Sequence, residues 1–198
     1  MTKIKICGIT NLEDALLSVE LGVDALGFIF SNGPRKISLE EAKKIIDALP
    51  PFVIKVGVFC NEPIEVVRDF SQFLNLDLIQ FHGDEPPEYV LAFKGKGVKA
   101  FRVSDYKVLE KIKEYRSNFF ILDSEKKGEP FDWDIAIRAK EIGQFLLGGG
   151  LNPENIESAL KKVSPFGVDV CSGVESKPGK KDPLKLKEFI WRIKRWES

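Results

Sequence analysis

Eight short runs of β-branched, aliphatic and aromatic residues recur along the chain, and no other feature limits its fold so strongly. They read KIKIC (3–7), ALGFIF (25–30), VIKVGVF (53–59), LDLIQFH (76–82), GVKAFRV (97–103), FFILD (119–123), QFLLGG (144–149) and FGVDVC (166–171). Their ends fall near 7, 30, 59, 82, 101, 123, 148 and 171, so neighbours lie 19 to 29 residues apart. Each run is mostly apolar on both faces. That suits strands of a parallel sheet covered on both sides.

Helical patterns fill the intervals. NLEDALLSVEL follows the first run, and SLEEAKKIIDAL opens with a capping box of Ser38 and Glu41. PIEVVRDFSQFL places Pro63 at a first helical position. PPEYVLAF, SDYKVLEKIKEY and DWDIAIRAKEI continue the alternation. NPENIESALKKV offers Asn152 as a cap with Pro153 just inside, and DPLKLKEFIWRIKRW repeats the device with Asp182 and Pro183.

Eight strand–helix units predict an α/β fold, a single compact (β/α)8 TIM barrel spanning residues 1–198. Such barrels usually need about 250 residues, so this one has short connections. The same elements could instead form an open doubly wound sheet. The even count and the absence of GxGxxG after the first strand favour closure. No linker or low-complexity segment divides the chain.

Thirty acidic residues balance thirty basic ones. Zero net charge argues against nucleic acid or an anionic membrane as the main partner. Cys7, Cys60 and Cys171 form no CxxC pair, so neither a zinc site nor a disulfide framework is expected. The start, MTKIKICG, lacks signal-peptide organisation, and no apolar run approaches the ~20 residues of a membrane span. A cytoplasmic protein is expected.

In a barrel the carboxyl ends of the strands form the active face. The first run ends in Cys7, and Arg35 sits in the loop after the second. The fourth carries Gln80 and His82, the sixth ends in Asp123, and the eighth carries Asp169. Each has a plain structural reading. A strand cysteine is usually a small buried hydrophobe, and an aspartate at a strand end is often a cap. Cys60 and Cys171 read as packing residues.

Parity adds chemistry. Residues two apart on a strand share a face, so Cys7 shares one with Lys5, and Asp123 shares one with Ile121 and Phe119. A lysine beneath a thiol lowers its pKa. An apolar floor beneath a carboxyl raises its pKa. Groups pushed to opposite proton states make a base and an acid. The glycine loops LLGGGLNPEN and VDVCSGVES follow the seventh and eighth runs. Bare backbone near helix starts suits a phosphate.

Taken together, KICGIT (5–10), PRKIS (34–38), QFHGDE (80–85), ILDS (121–124), LLGGGLNPENI (146–156) and GVDVCSGVESKPGKKD (167–182) resemble the phosphoribosylanthranilate isomerase family of tryptophan biosynthesis. The resemblance spans almost the whole chain. It implies an Amadori rearrangement of N-(5-phosphoribosyl)anthranilate to 1-(2-carboxyphenylamino)-1-deoxyribulose 5-phosphate. It makes Cys7 the general base and Asp123 the general acid. It puts Arg35 on the anthranilate carboxylate, the N–H groups of Gly149, Gly150, Ser172 and Gly173 on the phosphate, and Asp169 on the ribose hydroxyls or bridging amine, with Gln80 and His82 also lining the site. It implies no cofactor and no metal, a small phosphosugar as partner, and a monomer or homodimer.

Three features depart from the family pattern. The stretch SEKKGEPFDW is shorter and poorer in glycine than the family's lid after strand six, Cys171 stands where serine is usual, and Cys60 where valine is common. Two rivals remain at this stage. One is another sugar-phosphate barrel, either an indole-3-glycerol-phosphate synthase with a lysine acid or a ribulose-phosphate epimerase with metal-binding histidines. The other is a non-catalytic phosphosugar-binding barrel.

Overall fold

The computed structural model describes residues 1–196. Eight parallel strands close into a barrel: β1 (Lys3–Cys7), β2 (Ala25–Ile29), β3 (Ile54–Phe59), β4 (Leu78–Phe81), β5 (Gly97–Val103), β6 (Phe119–Ser124), β7 (Gln144–Leu147) and β8 (Gly167–Val170). β8 pairs with β1, which excludes the open doubly wound alternative. Between them run α1 (Leu12–Glu20), α2 (Leu39–Asp47), α3 (Ile64–Phe73), α4 (Pro87–Leu91), α5 (Val108–Glu114), α6 (Trp133–Ala139) and α7 (Ile156–Val163), and α8 (Pro183–Trp196) follows β8. Among the described residues, no helix is long and apolar enough to cross a membrane.

The two strand faces do different work. Outward residues such as Phe28, Phe59, Phe81, Phe120 and Phe145 are buried beneath the helices. Their rings stack in a belt, Phe30 on Phe59 at 5.3 Å and Phe120 on Phe145 at 5.6 Å between centroids. Burying each such side chain contributes about 1.5–3 kcal/mol. Inward, Val98, Ala100, Ile121 and Leu146 form a separate apolar cluster inside the barrel. Above it lies a polar layer that includes Lys5, Gln80 and Asp169.

Local signals set most boundaries. Ser38 and Glu41 make the expected capping box of α2. Asp182 Oδ1 accepts from the N–H groups of Leu184 and Lys185 at the start of α8. Two starts differ from the sequence reading. Pro63 is the cap of α3, with extended ψ, and not its first residue. α7 begins at Ile156, because Asn152 Oδ1 accepts from Glu154 and Asn155 N–H and closes a separate turn ahead of the helix. A hairpin of β9 (Glu175–Lys177) and β10 (Lys180–Lys181) sits between β8 and α8, after a 3-10 turn at Ser172–Val174. No periodic pattern marks it in the sequence.

Candidate active site

Cys7 ends β1 and is 7% exposed at the mouth of the barrel. The β1–β8 register pairs Lys5 with Asp169, and Lys5 Nζ lies 2.8 Å from Asp169 Oδ1 one layer below. The neighbouring Cys171 thiol, whose Sγ donates to Glu175 Oε1 at 3.8 Å, is the largest influence lowering the Cys7 pKa to about 6. Burial opposes the shift, and the Lys5 charge supports it. The Cys7 side chain, with burial, pushes the Cys171 thiol well above its ordinary range. The two thiols are thus pushed in opposite directions, Cys7 towards thiolate and Cys171 towards the neutral thiol. Lys5 acts on Cys7 as expected from parity, but Cys171 belongs to the site, which corrects its reading as a packing residue.

Lys181, 1% exposed, ties these strand ends together. Its Nζ donates to Cys7 O at 2.6 Å, to Cys171 O at 3.3 Å and to Glu175 Oε1 at 3.1 Å. Glu175 in turn grips Arg35. Arg35 Nε lies 2.9 Å from Oε1 and its terminal nitrogen 2.7 Å from Oε2. A guanidinium fork on a carboxylate fixes both position and plane. Arg35 is thus held by the hairpin before any ligand arrives.

Asp123 rises from β6 on the inner face. Its Oδ2 lies 3.1 Å from His82 Nε2, and its Oδ1 accepts the Ser124 N–H at 2.8 Å. Gln80 Nε2 sits 3.1 Å from His82 Nδ1 and steadies the ring. The other amide atom, Gln80 Oε1, is buried without a hydrogen-bond partner among the described residues. Burial pushes the Asp123 pKa up, yet the hydrogen bond and charge of His82 and the Ser124 N–H outweigh it, and the carboxyl is held below its ordinary range. The expectation of a raised carboxyl pKa is therefore corrected. The apolar floor is present, but His82 reaches over it from β4.

On the remaining rim, Gly149 and Gly150 have φ of 78° and 65°, which favours glycine. A Cβ on Gly149 would collide with Ser124, and one on Gly150 with Glu129 and Pro130. Their bareness lets the loop after β7 nest against the loop after β6. Gly173 is bare for a similar reason, since a Cβ there would strike the Leu151 carbonyl. It packs between loops and does not line the cleft. Cys7, Arg35, Gln80, His82, Asp123, Gly149, Gly150, Asp169 and Ser172 line one cleft of about 400 Å³. Lys126 and Lys127, from the loop after β6, line it too. Sequence reading passed over both. Among the described residues, no group of three or more His, Cys, Asp or Glu side chains could hold a metal ion.

A family model for N-(5'-phosphoribosyl)anthranilate isomerase matches residues 4–192. The chain belongs to that family. It is an isomerase, and the synthase, epimerase and non-catalytic readings fall with that membership. The N-(5'-phosphoribosyl)anthranilate isomerase of Geobacter metallireducens is 50% identical to it over 201 residues, 98% of this chain and 100% of the relative. That of Geobacter sulfurreducens is 48% identical over 203 residues, 99% of this chain and 100% of the relative. The isomerase from Thermotoga maritima superimposes with a TM-score of 0.93 at 44% identity, covering 98% of this chain and 100% of that one. A structure of phosphoribosyl anthranilate isomerase in complex with reduced 1-(o-carboxyphenylamino)-1-deoxyribulose 5-phosphate gives a TM-score of 0.91 at 45% identity, with the same coverage.

Signals for the missed residues were uneven. Cys171 lies two residues past Asp169, so strand parity would have put it on the cleft face. Glu175 and Lys181 carry no such signal, because the hairpin that buries them has no periodic pattern.

Proposed function

We propose that the protein converts N-(5-phosphoribosyl)anthranilate to 1-(2-carboxyphenylamino)-1-deoxyribulose 5-phosphate in the cytoplasm, with Asp123 as general acid and Cys7 as general base. The observation that carries this reading is that a thiol with a pKa lowered to about 6 and a carboxyl share one cleft beside bare glycine loops. At neutral pH most of such a thiol is thiolate.

The sugar C2–H is a weak acid while the furanose is closed. Asp123 protonates the ring oxygen, and the ring opens to an iminium ion. The iminium acidifies C2–H, and the Cys7 thiolate removes that proton. The resulting enolamine tautomerises to the ketone. The iminium is the electron sink, so the chemistry calls for no cofactor. General acid or base help is worth roughly 10² to 10⁴ in rate per group.

The Asp123 carboxyl starts below its ordinary range. Its acid form becomes available when the substrate's phosphate and carboxylate bring negative charge into the cleft, because a like charge nearby raises a carboxyl pKa. Arg35, already planar against Glu175, offers the rest of its fork to the anthranilate carboxylate. Asp169, anchored by Lys5, turns its free oxygen to the ribose hydroxyls or the bridging amine. Backbone N–H groups of Gly149, Gly150 and Ser172 receive the phosphate, and Lys126 and Lys127 add positive charge beside them. Gly173 supports that loop and does not touch the ligand. The enzyme acts as a monomer or homodimer; a Thermotoga maritima relative at 43% identity is described as dimeric.

The test is an anthranilate-fluorescence assay with freshly generated phosphoribosylanthranilate. Adding the protein should speed the fluorescence change in proportion to enzyme concentration. A rate equal to the uncatalysed decay would reject the proposal.

A further inference from the structure

We propose that Cys7 and Cys171 are a redox modification site, which hydrogen peroxide closes into a reversible disulfide across the mouth of the barrel. Closure itself needs no assumption about catalysis; its effect on turnover rests on reading Cys7 as the base.

The strand register makes the pair. β1 and β8 are in parallel register from Lys3 with Gly167 to Ile6 with Val170. Cys7 is the next residue of β1, and Cys171 directly follows β8. Registered residues on neighbouring parallel strands point to the same face, and the layer below demonstrates it, where the Lys5 and Asp169 side chains meet at 2.8 Å. Neighbouring strands run about 4.8 Å apart, inside the roughly 4.4–6.8 Å Cα window that a disulfide spans. Lys181 Nζ bridges the two main chains at this level, 2.6 Å from Cys7 O and 3.3 Å from Cys171 O. Both line the cleft, where a small oxidant enters.

Reactivity is divided as such a site requires. Cys7, with its lowered pKa, is the thiolate and attacks first. Its sulfur bonds to one peroxide oxygen, the O–O bond breaks and hydroxide leaves, giving a sulfenic acid. Cys171 is the resolving thiol. Its sulfur attacks the Cys7 sulfur, the S–OH bond breaks and the hydroxyl leaves with the Cys171 proton as water. The two sulfurs lose two electrons in total, and the peroxide gains them. Lys181 Nζ, 4.0 Å from Cys171 Sγ, favours negative charge on that sulfur during the attack. Cys60 is outside this arrangement, and burial pushes its thiol pKa up, so it is the slow third thiol. A dithiol reductant reverses the closure by exchange.

The experiment treats the full chain with hydrogen peroxide and reads intact mass, a non-reducing peptide map and turnover. The expected result is a loss of about 2 Da, a Cys7–Cys171 linked peptide with Cys60 still free, and lost turnover that dithiothreitol restores. In Cys171→Ser the same treatment should instead add about 16 Da or more at Cys7. A wild-type map with no Cys7–Cys171 peptide would overturn the proposal, whether or not the variant folds. A linked peptide with full turnover would leave the disulfide standing and remove Cys7 from the role of base.

Discussion

At the scale of residues, each candidate catalytic group is set by one neighbour that its own strand does not supply. Cys7 is lowered mainly by Cys171, with Lys5 second, and Asp123 is held down by His82 against its burial. Titrating the thiolate absorbance of the wild type against Cys7→Ala should therefore give a midpoint near pH 6, well below the ordinary 9.0. The linkage has a definite sign. The folded pKa of Cys7 lies below the ordinary 9.0, so its contribution to stability is fully present above pH 9.0 and is lost as pH falls towards about 6. Removing the imidazole in His82→Ala should move the Asp123 carboxyl upward, as followed by carboxyl carbon NMR; an unchanged midpoint would mean that His82 is not the cause. The Lys5 influence was legible in the sequence because the two residues share a strand face. The His82 influence was not, because β4 and β6 meet only across the closed mouth.

At the scale of elements, the β9–β10 hairpin decides how Arg35 is presented. Glu175 holds both Arg35 and the buried Lys181, so the carboxylate serves binding and folding together. Glu175→Ala should cost about 3–5 kcal/mol in denaturant unfolding, because it strands a buried ammonium. It should also raise KM more than it lowers kcat, since Arg35 loses its support while Cys7 and Asp123 remain. An unchanged KM would contradict the account of Arg35. Periodicity located the eight strands and eight helices. It failed where polar turn chemistry took over, at Asn152 ahead of α7 and throughout the hairpin. There the determinants are single hydrogen bonds to backbone groups, and these leave no repeat in the sequence.

At the scale of the whole molecule, one closed ring of eight strands brings to a common mouth residues as distant in the chain as Cys7 and Cys171. Most of that ring was legible from the apolar runs, since a strand buried on both faces needs apolar residues at every position. Its closure turns a list of strand ends into a cleft, with Val98, Ala100, Ile121 and Leu146 packed inside the bore. The loop after β6 is the least legible part. Its two lysines line the cleft, and their place there depends on how that loop folds against Gly150. The most direct test of the two-group account is the turnover of Cys7→Ala and Asp123→Asn on freshly generated phosphoribosylanthranilate, alongside circular dichroism to verify the fold. Each variant should keep the barrel and lose at least about a hundredfold in kcat. Near-normal turnover in either one would contradict it.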